Sequence, residues 1–257
     1  MKPLEFEFRS YLEEVTYIEG ELLTIRSAIR EFNEKHSFKS WTRLIEGTSS
    51  YRDLRIRGNN LKLSEFRTEV NTHNLQETFE RIESRESMFA LSQVYEVFEG
   101  YLKRILQVFF ELNPSLSSRL GKYEQLFIQN EKNGAFIKQM QRKDRNNKKL
   151  LWIVRKISKS YEKIEKENSS KIQLNIWFDL TSDIRHTIVH NRFKASNIFK
   201  SRLKENNKLK YFEIAYVINN QSIITTNRLK IERQISLLNS MAFLIMECLK
   251  KENSNTR

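Results

Sequence analysis

Two of the four histidines fall within one helical turn, in the run Ile184-Arg185-His186-Thr187-Ile188-Val189-His190-Asn191. An imidazole titrates near pH 6.5, so either ring can take or give a proton close to neutrality. Arg185 stands just before His186, and its planar fork suits a carboxylate or a phosphate oxygen pair. Advancing by about 100° per residue places Trp177, Leu180, Ile184 and Ile188 in one arc of about 80°, the side expected to meet the core. Asp183, Arg185, His186 and His190 spread over the opposite side, together with Phe178, Val189 and Phe193. A polar face carrying large apolar groups predicts a second packing partner, such as another subunit or the basic segment of the chain. Three chemistries fit these residue types: general acid–base catalysis beside a held phosphate, a metal site from Asp183, His186 and His190, or purely structural histidines. No Glu follows His186, so the H-E-x-x-H hydrolase pattern fails.

The elements that position this run are mostly helical. The chain has 257 residues with only 6 Gly and 2 Pro, too few for a turn-rich sandwich or barrel. Seventeen Phe, nine Tyr and three Trp supply a core. Apolar spacing of three and four predicts a helix over residues 4–36, with Leu12, Val15, Ile18, Leu22, Ile25 and Ile29 inward. Gly58-Asn59-Asn60, between Arg55–Arg57 and Leu61–Leu63, reads as a short hairpin, with a helix reopening at Ser64 and broken at Thr72–Asn74. Residues 85–112 are apolar almost all round and should form a central helix, with Gly100 marking a close helix crossing and Asn113-Pro114 the end. Residues 174–193 form the helix of the Arg-His run. Residues 211–218 and 222–226 form a second hairpin. Thr226 or Asn227 caps a last helix, whose core side is Ile231, Ile235, Leu238, Met241, Ala242, Ile245 and Leu249.

Charge and motif content narrow the function. The formal net charge is +13, which favours a polyanionic partner. A basic run with interleaved Phe136, Trp152 and Tyr161 offers Arg142, Lys143, Arg145, Lys148 and Lys149 as phosphate contacts, and Arg192 adds one beside the histidines. Such a run also serves as a plain solvated face. No glycine-rich phosphate loop occurs. One cysteine, Cys248, leaves no internal disulfide or CxxC metal knuckle and fits the core and a reducing cytoplasm. No stretch approaches 18 apolar residues, and the first turns lack a signal-peptide core, so neither a membrane span nor a leader is expected.

Arg185-His186-x-x-x-His190, late in a helix of a small helical domain, resembles the R-x(4–6)-H signature of HEPN domains, where a polar residue often follows the arginine. The apolar helix with embedded acids, Val94-Tyr95-Glu96-Val97-Phe98-Glu99-Gly100-Tyr101-Leu102, is similar to the earlier long helix of that family. Two other arginine–histidine spacings, Arg30…His36 and Arg67…His73, have Glu31 and Thr68 in the polar slot and lack this context. The resemblance covers roughly residues 85–250. It implies a mainly α, HEPN-like bundle with one or two short β-hairpins: an N-terminal helical region 1–84, a HEPN-like domain 85–251 and a polar tail 252–257.

The resemblance further implies an endoribonuclease without metal or other cofactor, acting as a homodimer and serving as a toxin or antiviral effector, with a cognate inhibitor or sensor as partner. In that scheme His190 and His186 move protons at the ribose 2′-OH and the leaving 5′-oxygen, Arg185 holds the scissile phosphate, and Glu96, Glu99, Asp183 and Asn191 support them. Glu96 or Glu99 would fix Arg185 or His190; Glu99 also has Lys103 at the i+4 spacing of an ordinary helix pair. A family subset carries Tyr two places after the histidine as a modification target; here Arg192 stands there, which sets this chain apart from that scheme. The alternative is a non-catalytic RNA- or protein-binding module with a degenerate site.

Overall fold

The computed structural model describes residues 2–36, 42–52, 61–71, 75–123, 148–169, 172–205, 213–217 and 221–255. Among them the chain is mostly helical. In order come α1 (Pro3–His36), β1 (Thr42–Arg52), β2 (Leu61–Asn71), α2 (Leu75–Leu112) and a 3₁₀ segment (Pro114–Tyr123). Then follow α3 (Lys148–Ile157), α4 (Lys159–Lys166), α5 (Leu174–Val189), α6 (Asn197–Glu205), β3 (Glu213–Val217), β4 (Gln221–Thr225) and α7 (Arg228–Asn255). No helix among these residues is long and apolar enough to cross a membrane.

α2 is the axis. Apolar residues on nearly every side bury Met88, Leu91, Val94, Tyr95, Phe98, Tyr101, Leu102, Ile105, Leu106, Phe109 and Phe110, because α1, α5 and α7 pack around it. α7 buries all seven of its expected core residues, and Tyr101 ties it to α2 by donating its hydroxyl to the Ala242 carbonyl at 2.8 Å. Asn227 is the N-terminal cap, accepting from the Lys230 amide at 3.1 Å. Burying a polar hydroxyl among apolar rings is tolerable only with such partners. Cys248 is buried, and burial pushes its thiol up.

Several sequence expectations need correction. The buried stripe of α1 is Leu4, Tyr11, Val15, Ile18 and Leu22; beyond Leu22 the helix outruns the core, so Ile25 is exposed. Tyr11 donates to Asn239 at 2.8 Å, while Arg104 on α2 pairs with Glu7 and Glu14 at 3.0 Å. α1 thus shares one core with the rest, and α2 runs unbroken across the expected 84/85 boundary. Residues 64–71 are strand, not helix: β1 and β2 pair antiparallel from Thr42↔Asn71 to Arg52↔Leu61. Phe66, Thr68 and Val70 alternate at period two with strand-favouring types, and that pattern prevails over the helical reading. Region 1–84 is therefore not helical throughout. The second hairpin forms where expected, β3 pairing β4 from Glu213↔Thr225 to Val217↔Gln221. The expected polar tail is largely the last turn of α7, where Glu252 meets Arg119 at 3.2 Å. Gly100 marks no helix crossing, since a Cβ built there would meet only the Arg104 guanidinium, at 3.4 Å. That group is the end of a flexible side chain. Gly100→Ala should therefore stabilise the protein by roughly 0.5–1 kcal/mol, seen as a higher midpoint in chemical denaturation with an unchanged slope.

Candidate functional site

α5 packs chiefly on α2, with α4 and α6 also against it. Trp177, Leu180, Ile184 and Ile188 are buried, as the helical arc requires, and the Trp177 indole donates to Gln234 on α7 at 2.6 Å. The second partner of Phe178 is neither another subunit nor the basic segment, as the sequence suggested, but α2 of the same chain. Phe178 stacks on Tyr95 with ring centroids 5.2 Å apart and lies 5.7 Å from Phe98. Burial pushes the Tyr95 hydroxyl well above the usual phenol range, and the charge of Glu99 adds to the rise. Tyr95 therefore stays protonated and does not act as a base. Arg185, seven residues after Phe178, continues the α2-facing stripe.

There Arg185 meets Glu96. Its Nη2 donates to Glu96 Oε1 at 2.6 Å, with side chains 29% and 52% exposed. Of the two acids singled out in the sequence, Glu96 is bonded to Arg185, while Glu99 is buried beside the Tyr95 hydroxyl. Arg185 Nε is shielded from solvent and has no acceptor among the described residues.

The histidines occupy the open flank. His186 lies in the last turn of α5 and His190 is its C-terminal cap, the His190 amide donating to the His186 carbonyl at 2.9 Å. Both are exposed, and their rings lie 4.8 Å apart, centroid to centroid, tilted by 45°. The i, i+4 spacing brings them together. Among the described residues no side chain hydrogen-bonds either imidazole.

Asp183 is drawn away from the pair. Its carboxylate bonds to Arg202 on α6, and its carbonyl accepts from Thr187 Oγ1 at 2.8 Å. No group of three or more His, Cys, Asp or Glu placed to hold a metal occurs among the described residues. Asn191 is partly exposed, and its carbonyl accepts from the Lys194 amide at 3.0 Å. Of the basic candidates, Arg192, two residues after His190 in the chain, is exposed. Lys148 and Lys149 begin α3. Arg142, Lys143 and Arg145 lie outside the described residues.

The helix ends at Val189 rather than running to Phe193, and the turn after it is strained. Arg192 and Phe193 have φ of 50° and 66°, the left-handed region that costs non-glycine residues about 1–3 kcal/mol each. Tertiary contacts enforce it. The Phe193 amide donates to the Thr187 carbonyl at 3.0 Å, and the Phe193 carbonyl accepts from Ile224 in β4 at 3.0 Å. The Phe193 ring meets Phe89 edge-on at 5.2 Å, with the Arg85 guanidinium 5.6 Å from its centre. Phe89, Arg85, Arg202 and Ile224 thus shape the site without having been singled out in the sequence. They sit on other elements, and neither Gly nor Asn at 192 or 193 signals the turn. Arg192→Gly should raise stability by about 0.5–1 kcal/mol, the relieved strain exceeding glycine's added chain entropy. Thermal unfolding should shift upward by about 2–4 °C per kcal/mol.

A groove of about 430 Å³ adjoins the site between α1, α2 and the end of α5. Ile18, Leu22, Ile25, Phe89 and Val189 give it an apolar wall, and Glu21, Glu86 and Glu96 an acidic one. Compared with protein-family models, curated proteins and solved structures, the chain finds no match in any of the three.

Proposed function

We propose that this chain is a HEPN-like endoribonuclease that cleaves RNA by attack of a ribose 2′-OH on the adjacent phosphate, without a metal. The observation that carries the reading is the open His186–His190 pair at the end of α5, beside a guanidinium held by Glu96. A neutral imidazole takes the 2′-OH proton as the O2′–P bond forms. A protonated imidazole gives its proton to the 5′-oxygen as the P–O5′ bond breaks. The products are a 2′,3′-cyclic phosphate and a 5′-hydroxyl, and one proton is taken for each one given. Arg185 stabilises the charge gathering on the non-bridging oxygens, with Glu96 fixing its rotamer. A second copy apposing the same helix end supplies further imidazoles and guanidinia to a shared cleft.

The acidic groove has the wrong sign for a polyanion, so RNA approaches over the histidines and the exposed Arg192. The role we infer is that of a toxin or antiviral effector in the cytoplasm, restrained by a partner protein. One observation favours a non-catalytic RNA- or protein-binding module instead: Arg185 is already engaged by Glu96 and its Nε is closed off. Incubating the purified chain with several RNAs in EDTA decides between them. Cleavage that disappears in both Arg185→Ala and His190→Ala, with folding kept, supports the enzyme; intact RNA with wild type supports the binder.

A further inference from the structure

We propose that His186 and His190 form a two-imidazole clamp for one borderline transition cation of the Zn²⁺, Ni²⁺ or Cu²⁺ class, which silences the same histidines. The spacing of the two rings allows a chelate when each turns a nitrogen toward a common point. A metal–nitrogen bond of about 2.1 Å puts the cation about 3.2 Å from each ring centre. With the centroids 4.8 Å apart, those two lines meet at about 97°, between the octahedral and tetrahedral angles. The i, i+4 spacing at the helix end keeps the two side chains on one side, so an ion has only their rotamers to fix. Among the described residues no side chain competes for the ring nitrogens. The rings sit on the last turn and cap of α5, where the backbone carbonyls favour positive charge. The nearest cation in sequence, Arg185, is neutralised by Glu96.

Ligand chemistry sets the class of ion. Neutral imidazoles suit Zn²⁺, Ni²⁺ and Cu²⁺, whereas Mg²⁺ and Ca²⁺ require oxygen donors. Asp183, the nearest acid in the helix, is occupied by Arg202, so water fills the remaining positions and binding is reversible rather than structural. Binding itself does not depend on the nuclease reading; the silencing does, because a nitrogen bonded to metal neither takes nor gives a proton.

Titrating the untagged chain with Ni²⁺ by calorimetry, in a non-chelating buffer, tests the clamp. Wild type should take up one ion per chain with micromolar affinity, Mg²⁺ should give no heat, and either His186→Ala or His190→Ala should weaken uptake by about ten-fold or more. His36→Ala and His73→Ala should bind as wild type does. No saturable uptake up to millimolar Ni²⁺, or uptake indifferent to both α5 substitutions, overturns the site. Circular dichroism checks that the variants fold, as exposed positions should. RNA cleavage then tests the silencing. Activity of the metal-free chain that falls as added Ni²⁺ fills the clamp, and returns when EDTA is then added, supports it; activity unchanged at full occupancy overturns it. Uptake without any cleavage in EDTA leaves the clamp standing and sinks the nuclease reading instead.

Discussion

His190→Ala should cleave RNA about 100- to 10,000-fold more slowly than wild type, the usual contribution of one positioned proton-transfer group. Its stability should stay within about 0.5 kcal/mol, because an exposed imidazole contributes little to the core. The separation of these two readouts is the point of the experiment: a structural histidine moves them together, a chemical one moves only the rate. His186→Ala should show a comparable loss. The double variant should fall short of the sum of the two, since two groups serving one transition state do not contribute independently. Arg185→Lys should recover little of what Arg185→Ala loses, because an ammonium cannot reproduce the planar fork. His36→Ala and His73→Ala should cut at the wild-type rate. If either of those abolishes cutting while His190→Ala does not, the chemistry belongs to another part of the chain. The product end group is a second check, since 2′-OH attack leaves a 2′,3′-cyclic phosphate whichever imidazole acts as base.

The features legible in the sequence were those decided within one helix. The arc of Trp177, Leu180, Ile184 and Ile188 is buried because period 3.6 fixes which residues share a side. The meeting of His186 and His190 follows from the same period. The coverage of α2 on all sides followed from its unbroken apolar surface. Partners across the chain were not legible. The resemblance offered Glu96 or Glu99 for Arg185 or His190, but which acid reaches Arg185, 89 positions away, depends on the axial offset between α2 and α5, and no local pattern encodes it. Asp183 was an open ligand on paper and is an ion-pair partner in space, since Arg202 arrives from a helix that follows a turn. That turn was itself invisible, because Arg192 and Phe193 adopt φ values usually announced by Gly or Asn. Helix–strand confusion at residues 64–71 has a simpler cause: a short, mixed-polarity run fits both periods, and long-range pairing with residues 42–52 decides.

Arg155→Ala should be the most damaging single substitution of a charged residue among those considered, costing about 3 kcal/mol, toward the lower end of what breaking a buried ion pair costs. Glu165 is 1% exposed, and Arg155 grips it with two nitrogens, at 2.6 and 2.8 Å. The Tyr161 hydroxyl donates to the same carboxylate at 3.3 Å. Without the guanidinium, a buried carboxylate keeps one neutral donor and loses its counter-charge. The lower end applies because the Arg155 side chain is 27% exposed, so water enters part of the vacated space. Replacing both partners, Arg155→Met with Glu165→Leu, should recover most of the loss, because it removes the buried charge together with its partner. The lock also bears on the site. Arg155 lies within the field of Asp179 on α5, and α4 packs against that helix, so loosening the pair loosens the support of the histidines. Well below its melting midpoint the Arg155→Ala protein should still cut RNA, and near the midpoint it should fail before wild type does. A loss of cutting at low temperature, with the fold intact, would instead give Arg155 a direct part in RNA binding.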